Sequence, residues 1–139
     1  MSDEIAEILH DHLSQLQNKR TTWESHWQEI ADFVVPRKAD ITKKRTQGDK
    51  RNAQIFDGTA IHAAELLAAS LHGMLTNMST KWFTLEYRDP MLNGDDTARE
   101  WLLSVEDVMY RTFQRSNFSE QVHEMYLDLI TFGTSVMFV

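Results

Sequence analysis

Residues 3–34 read DEIAEILHDHLSQLQNKRTTWESHWQEIADFV, and this stretch decides the class of fold. Ile5, Leu9, Leu13, Leu16, Trp23, Trp27, Ile30 and Val34 recur at steps of three, four or seven, with charged residues filling most of the gaps. That periodicity predicts one long amphipathic helix, and a break, if there is one, falls near Thr21-Thr22. At ~1.5 Å per residue the helix would reach ~45 Å, longer than a compact domain of this size needs. Support for part of it is therefore expected from outside the chain. Pro36 stops it, because the residue before a proline avoids helical backbone.

Downstream of Pro36 the apolar periodicity disappears. Residues 37–54 are expected to form a long basic loop, the kind of segment that is usually functional or mobile in a compact domain. Seven bases (Arg37, Lys38, Lys43, Lys44, Arg45, Lys50, Arg51) face two acids (Asp40, Asp49), so +5 sits between 37 and 51 and −12 on the rest, for a net −7. A net acidic chain argues against a dedicated nucleic-acid binder, but this loop is a candidate for DNA or partner contact. Seven bases suit phosphate contacts, yet no aromatic residue is interleaved to stack on single strands. A solvated loop, or one facing an acidic protein surface, is the competing reading.

Asp57-Gly58-Thr59 offers cap residues for a second helix to about Leu75. Ala60, Ala63, Ala64, Ala68, Ala69 and Gly73 make it small-faced, and only His62, Glu65 and His72 form a polar stripe, so burial on most sides is expected. Residues 82–87, rich in aromatic and β-preferring types, read as a strand. Asp95 or Asp96 can cap a third helix to about Gln114, with Trp101, Leu102, Val105, Val108, Met109 and Phe113 facing in. Asn117 or Ser119 caps a fourth, with Val122, Met125, Tyr126, Leu129 and Ile130 on one face, and Gly133 ends it. Residues 135–139 look like a second strand. The expected class is α+β, mainly α, with a minor β part at about 82–87 and 135–139.

With 42% apolar and 25% charged residues among 139, the composition is that of one soluble globular domain, and the absence of cysteine excludes disulfide frameworks, zinc ribbons and cysteine nucleophiles. No apolar run approaches the ~20 residues that cross a bilayer, and the acidic start is no export signal. A soluble, uncleaved intracellular product is expected, and the apolar run at Val139 reads as a truncation point. No nucleophile elbow and no phosphate loop is present, so no catalytic residue is assigned.

Two Glu-x-x-His pairs, Glu7/His10 and Glu120/His123, with Glu65 and Glu100, suggest a di-metal helical bundle. Helical geometry argues against it. Relative to core-facing Leu9, His10 lies about 100° away and Glu7 about 160°, and His123 and Glu120 stand at the same angles from Val122. Both pairs should face solvent. His10-Asp11-His12 diverges on a helix, and His62 and His72 are poorly spaced for a shared ion. No metal and no cofactor is assigned. The tryptophans are expected to fill core space.

Five pieces resemble the head-to-tail connector, or portal, proteins of short-tailed (podovirus) phages: RTTWESHWQEIADFVVPR (20–37), IFDGTA (55–60), AELLAASLHGMLT (64–76), TKWFTL (80–85) and FGT (132–134). Where family members tend to carry proline and serine before the tryptophan-phenylalanine pair, this chain has Asn77-Met78-Ser79-Thr80. The resemblance implies a wing-like N-terminal piece of a much longer structural, non-enzymatic subunit. It implies a ring, usually of twelve copies, at one capsid vertex, which passes double-stranded DNA during packaging and ejection. The implied partners are other copies of itself, capsid and scaffolding proteins, the terminase motor, tail proteins and DNA, with no membrane. The implied location is the virion, and the host cytoplasm during assembly. For the basic loop it suggests a neighbouring subunit, the capsid's inner surface or packaged DNA. The alternatives are a small helical metalloprotein and a free-standing DNA-binding adaptor.

Overall fold

A computed structural model describes residues 2–50 and 55–137. Four α-helices run in chain order: α1 (Ser2–Val34), α2 (Thr59–Leu75), α3 (Asp96–Arg115) and α4 (Phe118–Phe132), with 3₁₀ turns at Pro36–Lys38 and Leu92–Gly94. The chain divides into two compact units, Met1–Ala64 and Glu65–Val139, with the boundary inside α2. No helix among the described residues is long and apolar enough to cross a membrane.

In the first unit α1 is continuous through Thr21-Thr22. The Thr21 hydroxyl bonds back to the Asn18 carbonyl (2.5 Å), so its side chain joins the helix rather than interrupting it. Residues 5–22 are exposed throughout, including Leu9, Leu13 and Leu16 at more than half of their full exposure. Burial begins near the C-terminal end, where Gln28, Ala31 and Asp32 are enclosed. Pro36 ends the helix as expected and opens a 3₁₀ turn, since its fixed φ suits a first helical position.

The small-faced α2 is not buried on most sides, contrary to expectation. Only Ala64 and Ala68 are enclosed, while Leu66, Leu67, Met74 and Leu75 stand about half exposed or more. Composition signals that a face seeks apolar contact, and the described residues do not supply one. Its start is as expected: the Asp57 carboxylate accepts the Thr59 amide (3.0 Å) and hydroxyl, which holds Asp57 below its usual carboxylate range.

In the second unit Asp95 caps α3 by accepting the Ala98 amide (3.1 Å). The enclosed residues of α3 are Glu106 and Tyr110, whereas Trp101 and Val108, expected to face in, are about 60% exposed. On α4, Val122, Tyr126, Leu127 and Thr131 are buried, and Leu129 is not. Gly133 ends α4 in the left-handed region (φ 73°), donating its amide to Leu129 (2.9 Å).

The expected β part is absent among the described residues: 82–87 and 134–137 are irregular, and 138–139 lie outside them. Aromatic and β-branched content favours extended backbone, but a strand needs a neighbouring edge to take its amides. Side chains do that work here. The Tyr110 hydroxyl accepts the amides of Trp82 and Phe83, and Asn93 exchanges two bonds with the Tyr87 backbone (2.8 and 3.1 Å).

Candidate functional site

The basic loop is built around one amide side chain. Gln28 is 4% exposed, and its Oε1 accepts three successive backbone amides, from Ile41 (3.0 Å), Thr42 (2.8 Å) and Lys43 (3.3 Å). Its Nε2 donates to the Ala39 carbonyl (2.7 Å) and to Asp32 Oδ1 (3.0 Å). Acceptors on one side and donors on the other fix which end of the amide is oxygen. A loop that must satisfy its backbone without a ladder thus finds its partners on one residue of α1.

Asp32, one turn further along α1, collects the charge. Its Oδ2 accepts Lys43 Nζ, and its Oδ1 accepts Arg45 Nη2 (3.0 Å). Burial pushes the Asp32 carboxyl up, but bonds from Lys43 and Gln28 and the charges of Lys43 and Arg45 outweigh it, holding the group below its usual 3.8. Arg45 also reaches Asp40 (3.2 Å) and the Lys50 carbonyl (3.3 Å), and its side chain is only 15% exposed. A turn at Thr46–Asp49 closes the loop, with Gly48 at φ 91° and the Asp49 carboxylate on the Thr46 amide (2.8 Å), which keeps Asp49 low.

The seven bases singled out from sequence therefore separate. Lys43 and Arg45 are fastened to Asp32. Lys44 and Lys50 are exposed, Arg37 and Lys38 stand on the 3₁₀ turn, each with an interaction of its own, and Arg51 lies outside the described residues. Sequence reading missed Gln28 and Asp32. Their signal was a polar pair four apart on the helix face that also carries Ala31 and Val35.

The second unit fastens its irregular segment differently. Trp82 stacks on Phe118 (centroids 5.9 Å, planes 3° apart) and on Phe113 (6.2 Å), while Phe83 lies flat on Tyr110 (4.8 Å, 6°). Lys81 pairs with buried Glu106 (3.0 Å) and with Asp107 (2.6 Å), which raises the lysine above its usual 10.5 and lowers Asp107.

The Glu-x-x-His residues are spread over both units. Glu7 and His10 are exposed on α1, and Glu120 is exposed on α4. His123 is half-buried rather than solvent-facing, packed on His72 (5.9 Å between rings) with Glu65 at 3.9 Å. Ser119 Oγ lies 3.3 Å from His72 Nε2, and these groups border a hollow of about 330 Å³. Among the described residues no three His, Asp or Glu side chains are grouped to hold a metal.

Comparison with known proteins gives this geometry a family. The model of the bacteriophage head to tail connecting protein family matches residues 6–139. A probable portal protein of Bordetella phage BPP-1 is 34% identical over 129 residues, covering 92% of this chain and 23% of its own length. A portal protein of Salmonella phage epsilon15 is 34% identical over 140 residues, covering 100% of this chain and 25% of its own. The chain thus spans about a quarter of the length of these curated relatives. No solved structure matches it. With the family pattern running from α1 through the basic loop to the end of α4, the chain belongs to the bacteriophage head-to-tail connecting protein family.

Proposed function

We propose that this chain forms the N-terminal, wing-like part of a structural subunit of a phage portal ring. In this reading twelve copies occupy one capsid vertex and form the head-tail connector for double-stranded DNA during packaging and ejection. The observation that carries it is the family match over residues 6–139. The role is structural, with no reaction of its own, and the wing supplies surfaces rather than chemistry. The partners are neighbouring copies, capsid and scaffolding proteins, the terminase motor, tail proteins and the passing DNA. The assembly resides in the virion, and in host cytoplasm while it forms.

Within that assembly the loop at 37–51 is the contact segment, made by Arg37, Lys38, Lys44, Lys50 and Arg51, with Lys43 and Arg45 holding its shape. A neighbouring subunit is its favoured partner, ahead of the capsid's inner surface and packaged DNA. The rest of the chain carries −12, so a second copy offers complementary charge.

The test is location. Purified particles probed with a gold-labelled antibody against residues 2–50 of the disrupted head should show label at a single vertex. Label on many vertices, or on the tail fibres alone, would remove the portal reading.

A further inference from the structure

Of the five asparagines in the chain, Asn93 alone is followed by glycine. Asparagine is thermolabile, and a following glycine puts no Cβ in the way of its own nitrogen, so such a pair is prone to lose ammonia. In that reaction the Gly94 nitrogen attacks Asn93 Cγ. The N–Cγ bond forms, the Cγ–Nδ2 bond breaks, and Nδ2 leaves as ammonia with the proton that Gly94 gives up. Water then opens the cyclic imide at either carbonyl, restoring the Gly94 N–H. One opening leaves aspartate, and the other leaves isoaspartate, with the main chain routed through the side chain.

Here both reacting groups are held. Asn93 Oδ1 accepts the Tyr87 amide (2.8 Å) and Nδ2 donates to the Tyr87 carbonyl (3.1 Å), so Cγ is pinned from both sides. The Gly94 N–H donates to the Met91 carbonyl (3.3 Å) within the 3₁₀ turn. Tyr87 is itself docked on α3: its hydroxyl donates to the Ala98 carbonyl (3.4 Å) and its ring stacks on Trp101 (6.3 Å, planes 23° apart). Water is not what is lacking, since Gly94 is exposed and Asn93 borders a hollow of about 390 Å³. Conversion must therefore run from the opened state, at the intrinsic rate multiplied by the population in which residues 81–87 have come away.

We propose that Asn93-Gly94 is a modification site which the docking of residues 81–87 holds closed, and that its conversion makes their undocking permanent. Aspartate at 93 still accepts the Tyr87 amide, but it turns an acceptor toward the Tyr87 carbonyl where a donor stood. It also adds a charge next to Asp95 and Asp96. Isoaspartate goes further, inserting an extra carbon into the main chain ahead of Asp95, whose carboxylate caps α3 at the Ala98 amide (3.1 Å). Either product opposes the return of the segment. The site stands on the second unit by itself and needs no ring.

The test incubates the whole chain in warm neutral buffer made with heavy-oxygen water, and reads label at residue 93 by peptide mass spectrometry. In urea residue 93 should take up label, and the folded chain should do so ~10-fold more slowly or less. Tyr110→Phe touches neither Asn93 nor Gly94, yet it loosens the far end of the segment at Trp82 and Phe83 and should speed conversion of the folded chain about fivefold. Gly94→Ala puts its Cβ into open space at a backbone angle any residue adopts, and should slow conversion in urea ~10-fold or more. Asn93→Asp stands in for one product, and its Tyr87 amide should exchange ~10-fold faster than in the unaltered chain. Equal conversion in the folded and unfolded chains overturns the closed site, as does a urea rate that Gly94→Ala leaves unchanged. A folded rate indifferent to Tyr110→Phe shows the turn alone protecting Asn93 and overturns the role of the segment. Unaltered protection of Tyr87 in Asn93→Asp overturns the permanence of the release.

Discussion

Each unit of this molecule fastens a stretch of irregular backbone to a helix through a single side chain, and the two do it with opposite chemistry. In the first unit the buried Gln28 amide takes three amides of the loop, and a carboxylate beside it gathers two cations. In the second unit the Tyr110 hydroxyl takes two amides of the irregular segment at 81–87, a strap across α3, and stacked rings cover the junction. Both satisfy backbone that has no ladder to join. The difference lies in what holds the fastening shut. Charge and hydrogen bonds respond to acid, whereas ring stacking does not.

The largest expected effect tests the apolar fastening. Trp82→Ala removes the ring that packs on both Phe113 and Phe118 and should cost about 3 kcal/mol in urea unfolding of the chain. A loss under about 1 kcal/mol would mean the stack contributes little. Gln28→Ala comes next, because it leaves three loop amides without their acceptor. A loss of about 2 kcal/mol is expected, with faster tryptic cleavage after Lys43, Lys44 and Arg45. Unchanged cleavage would show the loop held by its salt bridges alone. Tyr110→Phe keeps the ring and deletes the hydroxyl, so about 1 kcal/mol is expected, smaller than for Trp82→Ala.

Acid sharpens the contrast further. Asp32 lies below its usual 3.8 in the folded chain, so its contribution is complete above that value and fades as pH falls through the lower folded value. The protection of amides 41–43, relative to their intrinsic exchange at each pH, should therefore fall in that acid window, and Asp32→Asn should remove that fall. Asp107 is lowered in the same sense, yet protonating it leaves the rings of the strap in place, so Trp82 and Phe83 amides should stay protected. Smallest of all, Lys44→Glu changes an exposed cation and should change stability by less than about 0.5 kcal/mol.

These two fastenings also mark where the amino-acid sequence could be read and where it could not. Helix limits were legible because their signals are local: Pro36 after α1, Asp95 before α3 and Gly133 after α4 each act on adjacent backbone. The basic loop was legible as a loop, since nothing from 37 to 50 repeats. Its clamp was not, because Gln28 and Asp32 look like surface residues of α1 until the loop folds over them. The strap failed for the same reason. Residues 82–87 have the content of a strand, and the bonds that replace one come from Tyr110, 27 and 28 residues away, and from Asn93, six residues past Tyr87. Buried Glu106 was hidden by its charge, which Lys81 neutralises from the strap. The outer faces of α1 and α2 carry the marks of contact with nothing described to meet them, so a reading of composition alone placed α2 inside.

The span of each fastening sets an order of events in the growing chain. Gln28 and Asp32 meet partners 11 to 15 residues away, so the first clamp can close as soon as Arg45 has cleared the ribosome. Tyr110 and its neighbour Gln114 meet partners 27 to 36 residues back. That strap must wait for most of α3 to be made, and doubling a loop adds only ~0.6 kcal/mol to its closure. Delay in synthesis, more than entropy, separates the two. The basic loop is thus already folded onto α1 while the aromatic half is still being translated.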